Sequence, residues 1–163
     1  MIKRILIALG AVAIAAVCGS LIHPFGTGTS GANEAIFREA HIDPETLALI
    51  QRACLNCHSQ NTKWPWYSHV APVSWLLAHD VQQARSHMNF SQWQDYSTDD
   101  RLRLLSAVGS AVRNRAMPPQ RYLLLHPEAQ LGDEERQQIY RWTRNERHRI
   151  SVGHAQTVSA KSD

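Results

Sequence analysis

Residues 54–58 read Cys-Leu-Asn-Cys-His. In a helix, positions i, i+3 and i+4 share one face, so Cys54, Cys57 and His58 would project together. Two thiols one turn apart match the two vinyl groups on one porphyrin edge, where each can form a thioether, and the adjacent imidazole then reaches the iron. This spacing is the attachment signature of c-type haem. The same residues admit three other chemistries. A structural disulfide between Cys54 and Cys57 suits an oxidising compartment. A thiol–disulfide oxidoreductase uses the same pair, but beside a βαβ pattern that is missing here. A zinc site needs a second pair of ligands. Apart from Cys18 near the N-terminus, the chain's cysteines are these two, both inside the motif with its histidine.

Haem iron takes a second axial ligand or keeps an open position. Beyond His58, the candidates are His69, His79, His87, Met88, Met117 and His126. Each histidine alone reads as an ordinary surface or core residue. Met117 has a distinctive setting: it stands in Arg-Asn-Arg-Ala-Met-Pro-Pro-Gln-Arg-Tyr, 113–122, and 59 residues after His58. Pro118 is expected to stop the preceding helix, and the two prolines hold the next segment extended. A thioether is a soft ligand that binds haem iron and raises its potential. Without the cysteine motif Met117 reads as a core methionine; with it, as the sixth ligand.

Two further groups belong to this pattern. Trp64, Trp66, Tyr67 and Trp75 are expected to wall the porphyrin against water, or else to form a plain aromatic core. Arg113, Arg115 and Arg121 bracket Met117, and Arg115 is taken as the candidate partner for a haem propionate; otherwise these arginines are solvated.

Four helices would position these residues. The first opens at Asp43-Pro44-Glu45, with Asp43 as N-cap, and turns Leu47, Ile50 and Cys54 inward. A second follows Pro72, with Val73, Leu76, Leu77, Val81, Ala84 and Met88 on one stripe. A third follows Ser97 or Thr98 and carries Leu102, Leu105, Val108 and Val112. The last begins near Asp133, turns Ile139 and Trp142 inward and ends around Arg149. Its arginines (136, 141, 144, 147 and 149) read as a solvated face, or as a docking surface for an acidic partner. No strand pattern and no internal repeat occurs, so the expected fold is all-α, a small helical domain around a covalent haem.

At the N-terminus, Lys3 and Arg4 precede an uncharged run from Ile5 to Ile22, 18 residues long. That length just spans a bilayer, and a cleaved signal or a lipidated Cys18 share the pattern. In each case the positive-inside rule sends the rest of the chain across the cytoplasmic membrane. The expected organisation is an anchor or signal over 1–22, a Gly/Ser/Thr-rich linker over 23–33, a haem domain over 34–150 and a flexible tail over 151–163. Setting Lys3 and Arg4 aside from the 17 basic residues leaves 15 against 14 acidic ones. The exported part is therefore nearly neutral, and the pI of about 9.0 is no argument for nucleic acid.

Taken together, the strings beginning Cys54-Leu-Asn-Cys-His and continuing through Trp-Pro-Trp-Tyr-Ser and Ala-Pro-Val-Ser-Trp, then Asn-Phe-Ser-Gln-Trp and Ala-Met-Pro-Pro, closely resemble the bacterial haem-binding domain family over about residues 45–145. The resemblance implies a c-type cytochrome-like domain, exported and membrane-anchored. By matching position it implies thioethers at Cys54 and Cys57, the proximal bond at His58 and the distal one at Met117. The leading expectation is a non-catalytic one-electron carrier serving redox partner proteins in the periplasm or membrane. The alternative is a peroxidase-like or gas-sensing protein with an open or displaceable sixth position, for which His126 or His87 would serve as distal groups.

Overall fold

The computed structural model describes residues 1–22 and 40–161, with side chains to residue 156. The expected linker over 23–33 lies outside the described residues. Among the described residues all regular structure is helical. Helix α1 (Ile2–Ser20) is followed by α2 (Pro44–Ala53), α3 (Leu55–His58), α4 (Val73–His87), α5 (Thr98–Arg113), α6 (Gln120–Leu123) and α7 (Asp133–Lys161). Short 3-10 turns occupy Trp66–His69, Phe90–Asp95 and Pro127–Ala129. The all-α class is as expected, and the four expected helices correspond to α2, α4, α5 and α7.

Local signals place the helix starts. Asp43 Oδ1 accepts from the Thr46 amide at 2.8 Å, capping α2, and Ser97 Oγ accepts from the Asp100 amide at 3.1 Å, capping α5. Three boundaries differ from expectation. The first helix bends at Cys54 (φ −124°), and this turns Leu55 into the core while helical bonding resumes with His58 N–H donating to the Cys54 carbonyl at 3.0 Å. Helix α5 ends at Arg113, before Pro118 can stop it. Its end is a Schellman turn: Ala116 N–H donates to the Ala111 carbonyl at 2.9 Å, Arg115 N–H donates to that of Val112 at 3.2 Å, and Arg115 is left-handed at φ 57°. Helix α7 runs on to Lys161 instead of fraying from Ser151, since no proline interrupts that stretch.

The α5–α7 pair is the spine of the domain. An added Cβ at Gly109 would lie 2.6 Å from Thr143 Oγ1, so the glycine permits the close approach of the two helices. Helix α7 buries Ile139, Trp142, Thr143 and Glu146 at helical spacing. Glu146 accepts from Arg149 at 2.7 Å and from the His41 amide at 3.2 Å, and Trp142 Nε1 donates to the His41 carbonyl at 2.9 Å. Those bonds staple the entry of the domain onto α7. Arg52 on α2 donates to the carbonyls of Glu128 and Gln130 and pairs with Glu135 at 2.7 Å, which clips α2 to the start of α7.

The stripe of α4 behaves differently from a packed face. Only Val81 of that helix is buried, while Val73 and Leu76 are 41% and 56% exposed. The stripe faces a cavity.

Candidate functional site

The cavity has a volume of about 530 Å³ and is walled mainly by apolar side chains. Val73, Leu76, Leu77, Val81 and Ala84 of α4 form one wall, and Leu104, Ala107, Val108, Ala111 and Val112 of α5 form another. Cys54, Cys57 and His58 line it from the bend between α2 and α3, and Met117 lines it from the loop after α5. A concave, mostly apolar space of this size with a few convergent polar groups is the usual form of a cofactor site. Its donor set of two thiols, an imidazole and a thioether fits haem iron and the edge of its ring.

His58 is oriented for ligation. Its Nδ1 lies 3.0 Å from the Met88 carbonyl, which can only accept, so Nδ1 carries the proton and Nε2 is left with its lone pair. Phe90 meets the ring edge-to-face at 6.3 Å between centroids. Burial lowers the His58 pKa, against the pull of the Met88 carbonyl, and so favours the neutral form that can donate to a metal. Arg85 on α4 holds the segment after α3, donating to the Ser59 carbonyl at 2.9 Å and to Thr62 Oγ1 at 2.8 Å.

The two cysteines are free thiols. Burial, with a smaller contribution from the neighbouring Cys57, pushes the Cys54 thiol up to about 12. Burial also raises Cys57. A thiol–disulfide exchange centre has the opposite property, a lowered pKa on a nucleophilic thiolate, and no strand for a βαβ unit exists among the described residues. Nor do the described residues contain a group of three or more His, Cys, Asp or Glu side chains able to hold a metal ion, as a zinc site would need.

Met117 is positioned by its backbone. Its N–H donates to the Ala111 carbonyl at 3.2 Å as part of the turn that ends α5. Its carbonyl accepts from Arg136 Nη1 at 3.3 Å, and the same nitrogen donates to the Val112 carbonyl at 3.1 Å. Arg136 is 7% exposed, not part of a solvated face. Its charge sits at the negative end of the α5 dipole, where a cation is favoured. Replacing Arg136 by leucine leaves both carbonyls without this donor. We expect a loss of about 1.5–3 kcal/mol in folding stability, read as a lower urea midpoint. A midpoint unchanged from wild type would show that the guanidinium holds nothing.

Of the other expected site residues, Tyr67 lines the cavity, but Trp64, Trp66 and Trp75 do not. Trp66 is 80% exposed, because the turn at 66–69 points Tyr67 inward and its neighbour outward. Trp64 is half-buried, and its Nε1 has no hydrogen-bond partner among the described residues. Arg115 also lies off the cavity: as the left-handed residue of the Schellman turn it reaches Asp133 at 2.6 Å. Arg113 stacks on Tyr140. Arg121 is the arginine of this group that lines the cavity, paired with Asp80 at 3.0 Å.

Among the alternative ligands, His87, Met88 and His126 line the cavity and His69 and His79 do not. Both ring nitrogens of His126 are engaged, Nε2 with the Tyr67 hydroxyl and Nδ1 with the Tyr122 carbonyl, each at 3.1 Å. Tyr122 stacks on His126 at 4.0 Å, and its hydroxyl accepts from Asn56 Nδ2 at 3.1 Å. Tyr122 escaped the sequence reading, although its i, i+4 spacing to His126 was a usable signal.

Comparison with known proteins gives two matches. The family model of the haem-binding domain matches residues 14–145. Cytochrome c peroxidase Ccp of Escherichia coli (strain K12) is 24% identical over 102 residues, a stretch covering 61% of this chain and 22% of that protein. No solved structure matches the chain.

Proposed function

The chain belongs to the haem-binding domain family, and from that premise we propose that it is a membrane-anchored, monohaem one-electron carrier with covalently attached haem. In this reading Cys54 and Cys57 would supply the two thioethers, and His58 Nε2 and Met117 Sδ would hold the iron. When bound, the haem contributes reversible one-electron exchange at its iron. The residues of the chain do the rest. The Met88 carbonyl holds the proton on His58 Nδ1 and keeps the ring aimed. The apolar faces of α4 and α5 exclude water, which tunes the potential. Arg121, in place of Arg115, is the cation available to a propionate. Helix α1 is long and apolar enough to cross a membrane. It would hold the domain on the outer face of the cytoplasmic membrane, within reach of redox partner proteins.

The observation that carries this reading is the convergence of Cys54, Cys57, His58 and Met117 on one apolar cavity. Were His58 and Met117 both to hold the iron, no position on it would remain for a substrate. A second reading, peroxidase-like chemistry at a displaceable sixth position, draws on the similarity to the peroxidase and on the 39% exposure of Met117. Carbon monoxide separates the two. The reduced wild-type protein is expected to bind it slowly or not at all, and Met117→Ala to bind it at once. Rapid binding by the wild type would favour the displaceable site.

A further inference from the structure

Eight large apolar side chains are exposed among the described residues after Ile22. Four of them, Val73, Leu76, Met117 and Leu125, line the cavity. Val152 lies apart on α7. The remaining three, Trp66 (80% exposed), Val70 (45%) and Leu124 (82%), are unexplained by the site.

Contacts link the segments that carry these three, from the end of α1 to Tyr67 and His126 of the cavity lining. Ser20 Oγ accepts from the Ala71 amide at 2.9 Å, and the Ile22 carbonyl accepts from Trp75 Nε1 at 2.8 Å. An added Cβ at Gly19 would stand 3.1 Å from Ala71 Cβ, so helix and domain touch there. Val70 adjoins that contact in the chain. Trp66 meets Tyr67 edge-to-face at 5.7 Å, Tyr67 bonds His126, and Leu124 stands two residues before His126. The two segments that carry the three, 64–79 and 122–127, contain no Asp, Glu, Lys or Arg.

We propose that this rim rests on the bilayer surface, with Trp66, Val70 and Leu124 seated at the headgroup level so that the cavity mouth faces the membrane. The proposal rests on α1 being kept as an anchor. The physical case has three parts. Apolar side chains bordered by tryptophan suit the interface, where an indole buries its ring and keeps its N–H wet. The two rim segments themselves carry no ion to desolvate against lipid, and the flanking Arg121 and Asp80, which also line the cavity, pair with each other at 3.0 Å. The anchor contact at Ala71 and Trp75 already brings the rim to the end of the membrane span, so seating it costs little further loss of freedom.

The test uses the full-length, haem-loaded chain in phospholipid nanodiscs, with Cys18→Ser and a nitroxide on Leu124→Cys or Trp66→Cys. Both positions are exposed, so the label does not disturb the fold. A label on Arg144→Cys, exposed on α7, is the reference. We expect the ratio of oxygen to nickel-chelate accessibility at 124 and 66 to exceed that at 144 by about threefold or more, as for side chains seated 5–10 Å into the interface. Equal ratios on a chain whose intact mass includes residues 1–22 would overturn the seated rim and leave the anchor standing. A mass lacking that segment would overturn both.

Discussion

Met117→Ala is expected to abolish the near-red absorption of a thioether-to-iron bond in the oxidised protein and to lower the reduction potential by at least about 0.1 V. That is a modest part of the roughly 0.8 V over which axial ligands move haem potentials. Sulfur stabilises the reduced iron, so removing it favours the oxidised form. The loop itself should survive the change. It is built by the Schellman turn at the end of α5 and by Arg136 on the Met117 carbonyl, both backbone interactions that alanine keeps. Redox titration and a visible spectrum are the measurements. An unchanged band and potential would assign the sixth position to another residue, and His87 or Met88 would be next in line because they share the cavity wall.

Cys54→Ser with Cys57→Ser should give the largest chemical effect. Wild-type protein made with the haem-attachment machinery is expected to keep its haem through denaturation and acid–solvent extraction, and the double variant to lose all of it. Stability should fall as well. The stripes of α4 and α5 face the cavity, so a bound ring replaces contacts that no helix supplies. Since 1 kcal/mol shifts the midpoint of a domain this size by a few degrees, weaker retention should lower the melting temperature by on the order of 10 °C. Haem surviving extraction in the double variant would refute attachment through these sulfurs. A wild-type protein that gives up its haem would leave a haem protein of the non-covalent kind.

The sequence by itself determined the helix starts and the ingredients of the site. Asp43, Ser97 and the Pro72 break act within a few residues of themselves, and the two thiols and imidazole of 54–58 stay together whichever way the chain folds around them. The cavity stripes of α4 and α5 were legible as apolar periodicity, though not that part of them would face a cavity instead of another helix. Only the tertiary structure decided which arginine does what. Arg136 and Arg144 are alike in the sequence of α7, yet the first is buried against two carbonyls of a segment 19 and 24 residues earlier, and the second is exposed. Arg115 sits beside Met117 in sequence and turns away from it, since a left-handed residue at a helix end reverses the chain direction. Trp66 and Tyr67 part in the same way. Caps and breaks depend on nearest neighbours along the chain and can be read from them, whereas the destination of a long side chain depends on which distant backbone lies within its reach.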